Sequence, residues 1–508
     1  MTLPARLRLT AATVLALTLS ACSGGAAPAD DTNGAIAVAM QFPPRSAYAF
    51  DADDGALLMT LGVAETLTTV DPSAQPAPGL ATAWEQTADP KVWRFTLREG
   101  VTFHDGSPQT ADAVVTALTH ISTVTAPPRA VRDIGLTVTA DGTNAVLIGT
   151  AAVDPVLPLR MSSGNLGILA PSAYAPGRQP TVTRTATGPY VLASVNGADS
   201  AVLERNDAYW GAKPAASTVT VRYVTDPQSR ALALQSGDVQ FAEGLPHAAT
   251  GPVRAAGGEV TAYPAARTVE LLLNQSAKPF DDLRVRQAVT AAIDRPTLAA
   301  RVLRGAAAPA ADLFGTAVPW GVRTPPPGAD PAKAKDLLTQ AGYGPDKPLT
   351  VRLWTFPNRP EMPVLATAVQ SMLGEAGVKV EVTVGDYAAQ EPKVLAGDFD
   401  MFLNSRSYLS DFADAASVLT SDYTCEGSYN IDHFCSAEFD SLVASLATTT
   451  DVTARQKVFT EAAAMLTDQA VGVMIVHPNN TAGTRGVTGF TPDPLGVRPV
   501  LPQLKPAG

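Results

Sequence analysis

Residues 349–403 leave this chain few folding options. Leu349–Thr355 alternates apolar and polar side chains (L-T-V-R-L-W-T), and Val378–Val384 does so again (V-K-V-E-V-T-V). Between them, residues 363–376 place Val364, Leu365, Ala368, Val369, Met372 and Leu373 at helical spacing, closed by Gly377. A second helical stretch at 387–396 leads to an apolar run at 399–403. Each period buries one face of only one kind of element, so the order predicts strand, helix, strand, helix, strand. Strands joined through helices run parallel with right-handed crossovers, which makes this an α/β fold. Ligands of such sheets sit beyond the carboxyl ends of the strands. Those ends are 356–359 and the loop 404–414, which reads N-S-R-S-Y-L-S-D-F-A-D. The loop gathers Asn404, Arg406, Tyr408, Asp411, Phe412 and Asp414, and is the candidate ligand site.

The rest of the chain is patterned differently. Residues 36–41 read as a first strand, and residues 93–114 as two short strands, a turn and a helix capped by Thr110. The first of these strands carries Trp93, Phe95 and Leu97, and the second carries Val101 and Phe103. His104-Asp105-Gly106 is the turn between strand and helix. A His-Asp pair invites a catalytic reading, yet no nucleophile elbow, zinc-protease helix, phosphate loop or dinucleotide fingerprint accompanies it. The five histidines are scattered, so the pair is read as fixing its turn, and no enzyme activity, cofactor or protein-held metal is expected. Residues 268–274 (T-V-E-L-L-L-N) read as a buried strand, and Val285, Ala288, Val289, Ala292 and Ile293 as the inner face of a helix. The formal charge of −11 argues against a nucleic-acid partner.

The N-terminus sets the compartment. Arg6 and Arg8 precede an apolar run at 9–19 that is too short to span a bilayer, followed by L-S-A-C with Cys22 at its end. This pattern resembles a bacterial lipobox, which implies a signal peptide at 1–21, a lipidated Cys22 and a flexible tether at 22–35. Two acyl chains suffice for stable anchoring, so the body is expected on the outer face of a membrane. In an oxidising compartment Cys425 and Cys435 are expected to form a disulfide, the rival being a metal site with His433.

Several stretches together resemble the extracytoplasmic solute-binding proteins of peptide/nickel-type ABC transporters. They are residues 93–114, the R-N-D-A-Y-W-G run at 205–211, residues 280–305 with R-V-R-Q-A and A-I-D-R, and residues 330–343. The resemblance implies a two-lobed periplasmic-binding-protein fold of the large class II kind. The first lobe would span 36–265 with an extra subdomain at about 68–184, the second 266–483, and 484–508 would return to the first. It implies a monomer that captures a short peptide or peptide-like solute and delivers it to a membrane permease. Nickel, metal-chelate or opine capture for import is the alternative, and a secreted hydrolase or a ligand sensor without a transport partner stands behind it. By the same resemblance Asp411, and after it Asp414, would meet a ligand's α-amino group, while Arg406 would hold a carboxylate and Tyr408 and Phe412 would pack on the ligand. A plainer reading pairs Arg406 with Asp411 on the loop. Nickel-type members place arginines before the Ala-Pro-Ser segment, whereas here residues 162–167 hold none and Arg160 is displaced.

Overall fold

The computed structural model describes residues 34–507 except 51, 53, 133, 176, 358, 360, 410 and 411. The expected signal peptide, Cys22, nearly all of the tether and Asp411 therefore lie outside the described residues. Among the described residues no helix is long and apolar enough to cross a membrane.

The 349–403 unit folds as its periodicity requires. Val378–Val384 and Leu349–Thr355 pair in parallel along their whole length, and Leu349–Thr355 pairs in parallel with Met401–Ser407. The connecting helix Glu361–Glu375 turns Met362, Leu365, Ala366, Val369 and Leu373 inward. Gly377 follows at φ +91°, a conformation glycine adopts without strain, and so the chain leaves the helix there. Asp386 caps the next helix, Tyr387–Leu395, accepting from the Ala389 amide. Arg267–Leu273 adds antiparallel to Met401–Ser407, which buries the 268–274 run on both faces. One core gathers Leu271, Val289, Leu353, Leu365 and Leu403, each at most 1% exposed. Burial on this scale contributes roughly 1.5–3 kcal/mol per large apolar side chain.

A second core belongs to the first lobe. Ala35–Met40 runs parallel to Thr218–Tyr223 and to Phe241–Glu243, and Ser200–Arg205 and Tyr190–Asn196 extend this sheet antiparallel. A separate four-stranded sheet is ordered Ala81–Gln86, Val92–Leu97, Ala145–Gly149, Thr137–Ala140. Thr110 caps the helix Ala111–Thr123 through its Oγ1, 3.3 Å from the Ala113 amide nitrogen. The second strand expected around Val101 and Phe103 is absent. Those side chains are buried, but the segment makes only a Thr102–Pro108 bridge, because the chain turns at once through His104-Asp105-Gly106.

One strand ties the two sheets together. Gly472–Thr484 pairs with Arg267–Leu273 over Gly472–Val476, then with Ala307–Pro309 through Pro478, and then with Glu259–Pro264 from Asn479 onward. Its end also meets Phe241–Glu243. The expected strand at 471–476 is thus the first half of a longer one that passes from the second lobe to the first. A third apolar cluster joins Val70, Val156 and Leu159 of the first lobe to Phe314, Tyr408 and Phe412 of the second.

Candidate functional site

A cavity of about 930 Å³ lies between the first-lobe segments 129–160 and the second-lobe segments 406–455. That volume is of the size that holds a small organic solute, roughly 300–1,000 Å³. Its second-lobe wall begins where Met401–Ser407 ends, as the topology of a parallel sheet demands. Arg406, Phe412, Asp414 and Arg455 line it from that side, and Arg129, Arg132, Asp154 and Arg160 from the other.

The loop residues take distinct places. Asn404 is buried and donates from Nδ2 to Glu270 Oε1 at 3.2 Å across the strand pair. The Arg406 guanidinium does hold a carboxylate with two nitrogens, but the carboxylate is Asp422 of the same chain, at 2.6 and 2.8 Å. The ring of Tyr429 lies 4.6 Å from the Arg406 guanidinium carbon. Burial alone would pull Arg406 down; the facing Asp422 and Glu270 outweigh it, and the guanidinium is held firmly charged. Asp414 is also committed within the chain. It accepts from Arg455 at 2.8 and 3.0 Å with both side chains nearly inaccessible, and from the Ala416 amide at the start of the helix Ala416–Tyr423. Tyr408 is 1% exposed and packs edge-on against Phe314, centroids 5.3 Å apart, so it supports the wall from behind. Phe412 reaches the cavity, and the Arg160 guanidinium of the other lobe lies over its ring at 4.8 Å. Asp411 has no described position.

Behind the wall sits a polar cluster that the sequence pattern pointed to only faintly. Glu270 stands in the apolar run 268–274, and a charge inside a buried strand was the available signal. It accepts from the Tyr423 hydroxyl at 2.8 Å. Burial pushes its carboxyl up to about 7, with Tyr423 and Arg406 pulling against burial and Asp422 adding to it. Asp432, which accepts from the Leu273 amide, is driven up by burial and then by Glu270. At the entry to the same strand Arg267 is brought down to about 10 by burial and by the like charges of Arg359 and Arg406. None of these contacts is local. Glu270 and Tyr423 are 153 residues apart, and Arg406 and Asp422 are 16 apart.

The disulfide Cys425–Cys435 closes the loop that carries Glu426, Gly427 and Ser428 onto the cavity and Tyr429 onto Arg406. Among the described residues no three His, Cys, Asp or Glu side chains cluster as a metal set. His104 does not line the cavity; it hydrogen-bonds through Nε2 with the Gly188 carbonyl at 2.9 Å, while Asp105 accepts from the Ser107 amide. The pair ties its turn to the neighbouring loop.

The fold has counterparts among known proteins. A family model described as bacterial extracellular solute-binding proteins, family 5 Middle, matches residues 75–430. A glutathione-binding protein of Pectobacterium atrosepticum is 27% identical over 437 residues, covering 82% of this chain and 84% of that one. Among solved structures, a nickel ABC transporter protein of Bacillus halodurans superposes with a TM-score of 0.81 at 24% identity, over 93% of this chain and 99% of that one. The periplasmic binding protein DppA of Helicobacter pylori, solved with the peptide STSA, superposes with a TM-score of 0.73 at 20% identity, over 94% and 98%. Both share the two-lobed architecture. With most of its length matched, the chain belongs to the family 5 bacterial extracellular solute-binding proteins, the substrate-binding components of peptide- and nickel-type ABC importers.

Proposed function

We propose that this chain is a lipid-anchored receptor that captures a short peptide between its lobes and hands it to an ABC permease, without chemical change to the solute. The carrying observation is the cavity of about 930 Å³ lined by charges of both signs at the carboxyl end of a parallel sheet. A zwitterionic solute suits such a lining, since a carboxylate or ammonium leaving water there meets charge-assisted hydrogen bonds. The glutathione-binding relative supports the peptide reading. The lipobox at Cys22 supports attachment to the outer face of a membrane, and the body is read as a monomer.

In this reading Asp411 takes the ligand's α-amino group. Phe412 packs on the ligand at the cavity surface, while Tyr408 holds the wall from behind. Arg406, anchored by Asp422, presents the remaining face of its guanidinium to a ligand carboxylate. Asn404 and Asp414 act one step back: Asn404 holds Glu270, and Asp414 fixes the loop through Arg455. Native mass spectrometry of the purified full chain tests the proposal directly. It should reveal a retained peptide, and peptides of two to nine residues should raise the melting temperature. Stabilisation by a nickel–histidine chelate with none by any peptide would refute the peptide reading. Hydrolysis of a bound peptide by the purified protein would refute the transport role.

A further inference from the structure

Arg132 and Glu426 face the cavity from opposite walls with opposite charge. On the first-lobe wall stand Arg129, Arg132 and Arg160. Arg160 is held by Asp154 at 2.7 Å and by the Ala130 carbonyl at 3.0 Å. Arg129 reaches electrostatically across the cleft to Asp422. Arg132, exposed like Arg129, donates from its guanidinium to the Pro127 carbonyl at 3.1 Å and makes no ion pair among the described residues. On the opposite wall Glu426 is exposed and likewise makes no ion pair among the described residues. The disulfide loop holds it there.

We infer that Arg132 is a specificity-determining residue that selects solutes with a second carboxylate besides the C-terminal one, so that acidic short peptides are preferred over neutral ones. The inference rests on the peptide reading above. A guanidinium fork matches a carboxylate bidentately. At the rim of a closing cleft this attraction strengthens as water leaves, and it raises the association rate in a salt-dependent way. Glu426 across the cavity repels the same carboxylate, so an acidic group is sorted toward the first-lobe wall.

Calorimetric titration of the full chain, its Arg132→Gln and Arg132→Lys variants, with trialanine and an analogue bearing a glutamate side chain at its C-terminal residue, tests this. The wild type should bind the acidic peptide about tenfold more tightly than trialanine, with the advantage shrinking at high salt. Arg132→Gln should erase that advantage and its salt dependence, weakening the acidic peptide about tenfold more than trialanine. Arg132→Lys should keep part of it. Because Arg132 is exposed, the melting temperature of the unliganded variants should match the wild type. Equal weakening of both peptides, or no change in either, overturns the role of Arg132 while leaving peptide capture standing. Absence of binding by either peptide to the wild type overturns the capture reading and this inference together.

Discussion

Each lobe contains a carboxylate drawn out of water, and the two are held in different ways. In the first lobe Glu65 accepts from the Tyr209 hydroxyl at 2.8 Å and from the Trp210 indole at 3.1 Å, while the Arg98 guanidinium stacks 4.0 Å from the Trp210 ring. Burial raises its pKa, and neutral donors answer it. The aromatic turn at 207–211 is thereby fastened to the first-lobe core, away from the cavity. In the second lobe Glu270 is also raised by burial, but its neighbours are Asp422, Asp432 and Arg406, and Arg406 lines the cavity. The first carboxylate does not line that cavity. The second places charged, mutually dependent groups directly behind the ligand wall, so changes there should register in stability and in binding together.

The largest expected effect comes from breaking the wall's buried ion pair. Arg455→Ala leaves Asp414 charged and unpaired in the interior, which should cost about 3–5 kcal/mol in urea unfolding. A loss under 1 kcal/mol would mean that Asp414 finds water or another partner. Next in size is the pH response of Glu270. A carboxyl whose pKa is raised on folding favours the native state most below its unfolded value, and that favour is lost as pH rises to the folded value. For Glu270 the window runs from its ordinary 4.5 to about 7. Glu270→Gln should therefore gain on the wild type by on the order of 2–3 kcal/mol between pH 5 and pH 8. Peptide affinity should lose part of its pH dependence in the same variant. Glu65→Gln should leave peptide affinity and its pH dependence unchanged, and a shift as large as that of Glu270→Gln would erase the contrast between the lobes.

Removing the disulfide by Cys425→Ser with Cys435→Ser should cost about 2–3 kcal/mol and weaken binding, because the released loop no longer holds Glu426 and Tyr429 at the wall. The smallest effect belongs to Trp210→Phe. It forfeits one hydrogen bond to Glu65 and the better cation–π face for Arg98, about 1–2 kcal/mol by thermal melt, with peptide affinity untouched.

The parallel unit at 349–403 was legible because its periods are uninterrupted and its breaker, Gly377, falls where the chain must turn. The loop after Leu403 was legible as a cleft wall from topology alone. The partners of its residues were not. Arg406 meets Asp422, and Asp414 meets Arg455, because two helices, Ala416–Tyr423 and Val452–Asp468, bring those partners in from outside the loop. The long strand through 484 was hidden by Pro478, Asn479 and Asn480, residues that read as a strand end. They sit where the strand exchanges second-lobe partners for first-lobe ones, so ordinary strand propensity does not govern them. The disagreement at Val101 and Phe103 has a simpler cause: alternation marks a buried face, and a tightly turning segment can bury that face without pairing.

The central claim is that a peptide is held in the cleft through its charged ends. Titrating one tripeptide, with its amino group free and then acetylated, into the full chain and into Asp411→Asn tests it most directly. The free peptide should bind one-to-one to the wild type, and acetylation or Asp411→Asn should each weaken it at least about tenfold, with no further loss when the two are combined. Equal affinity for free and acetylated peptide in both proteins would contradict the account.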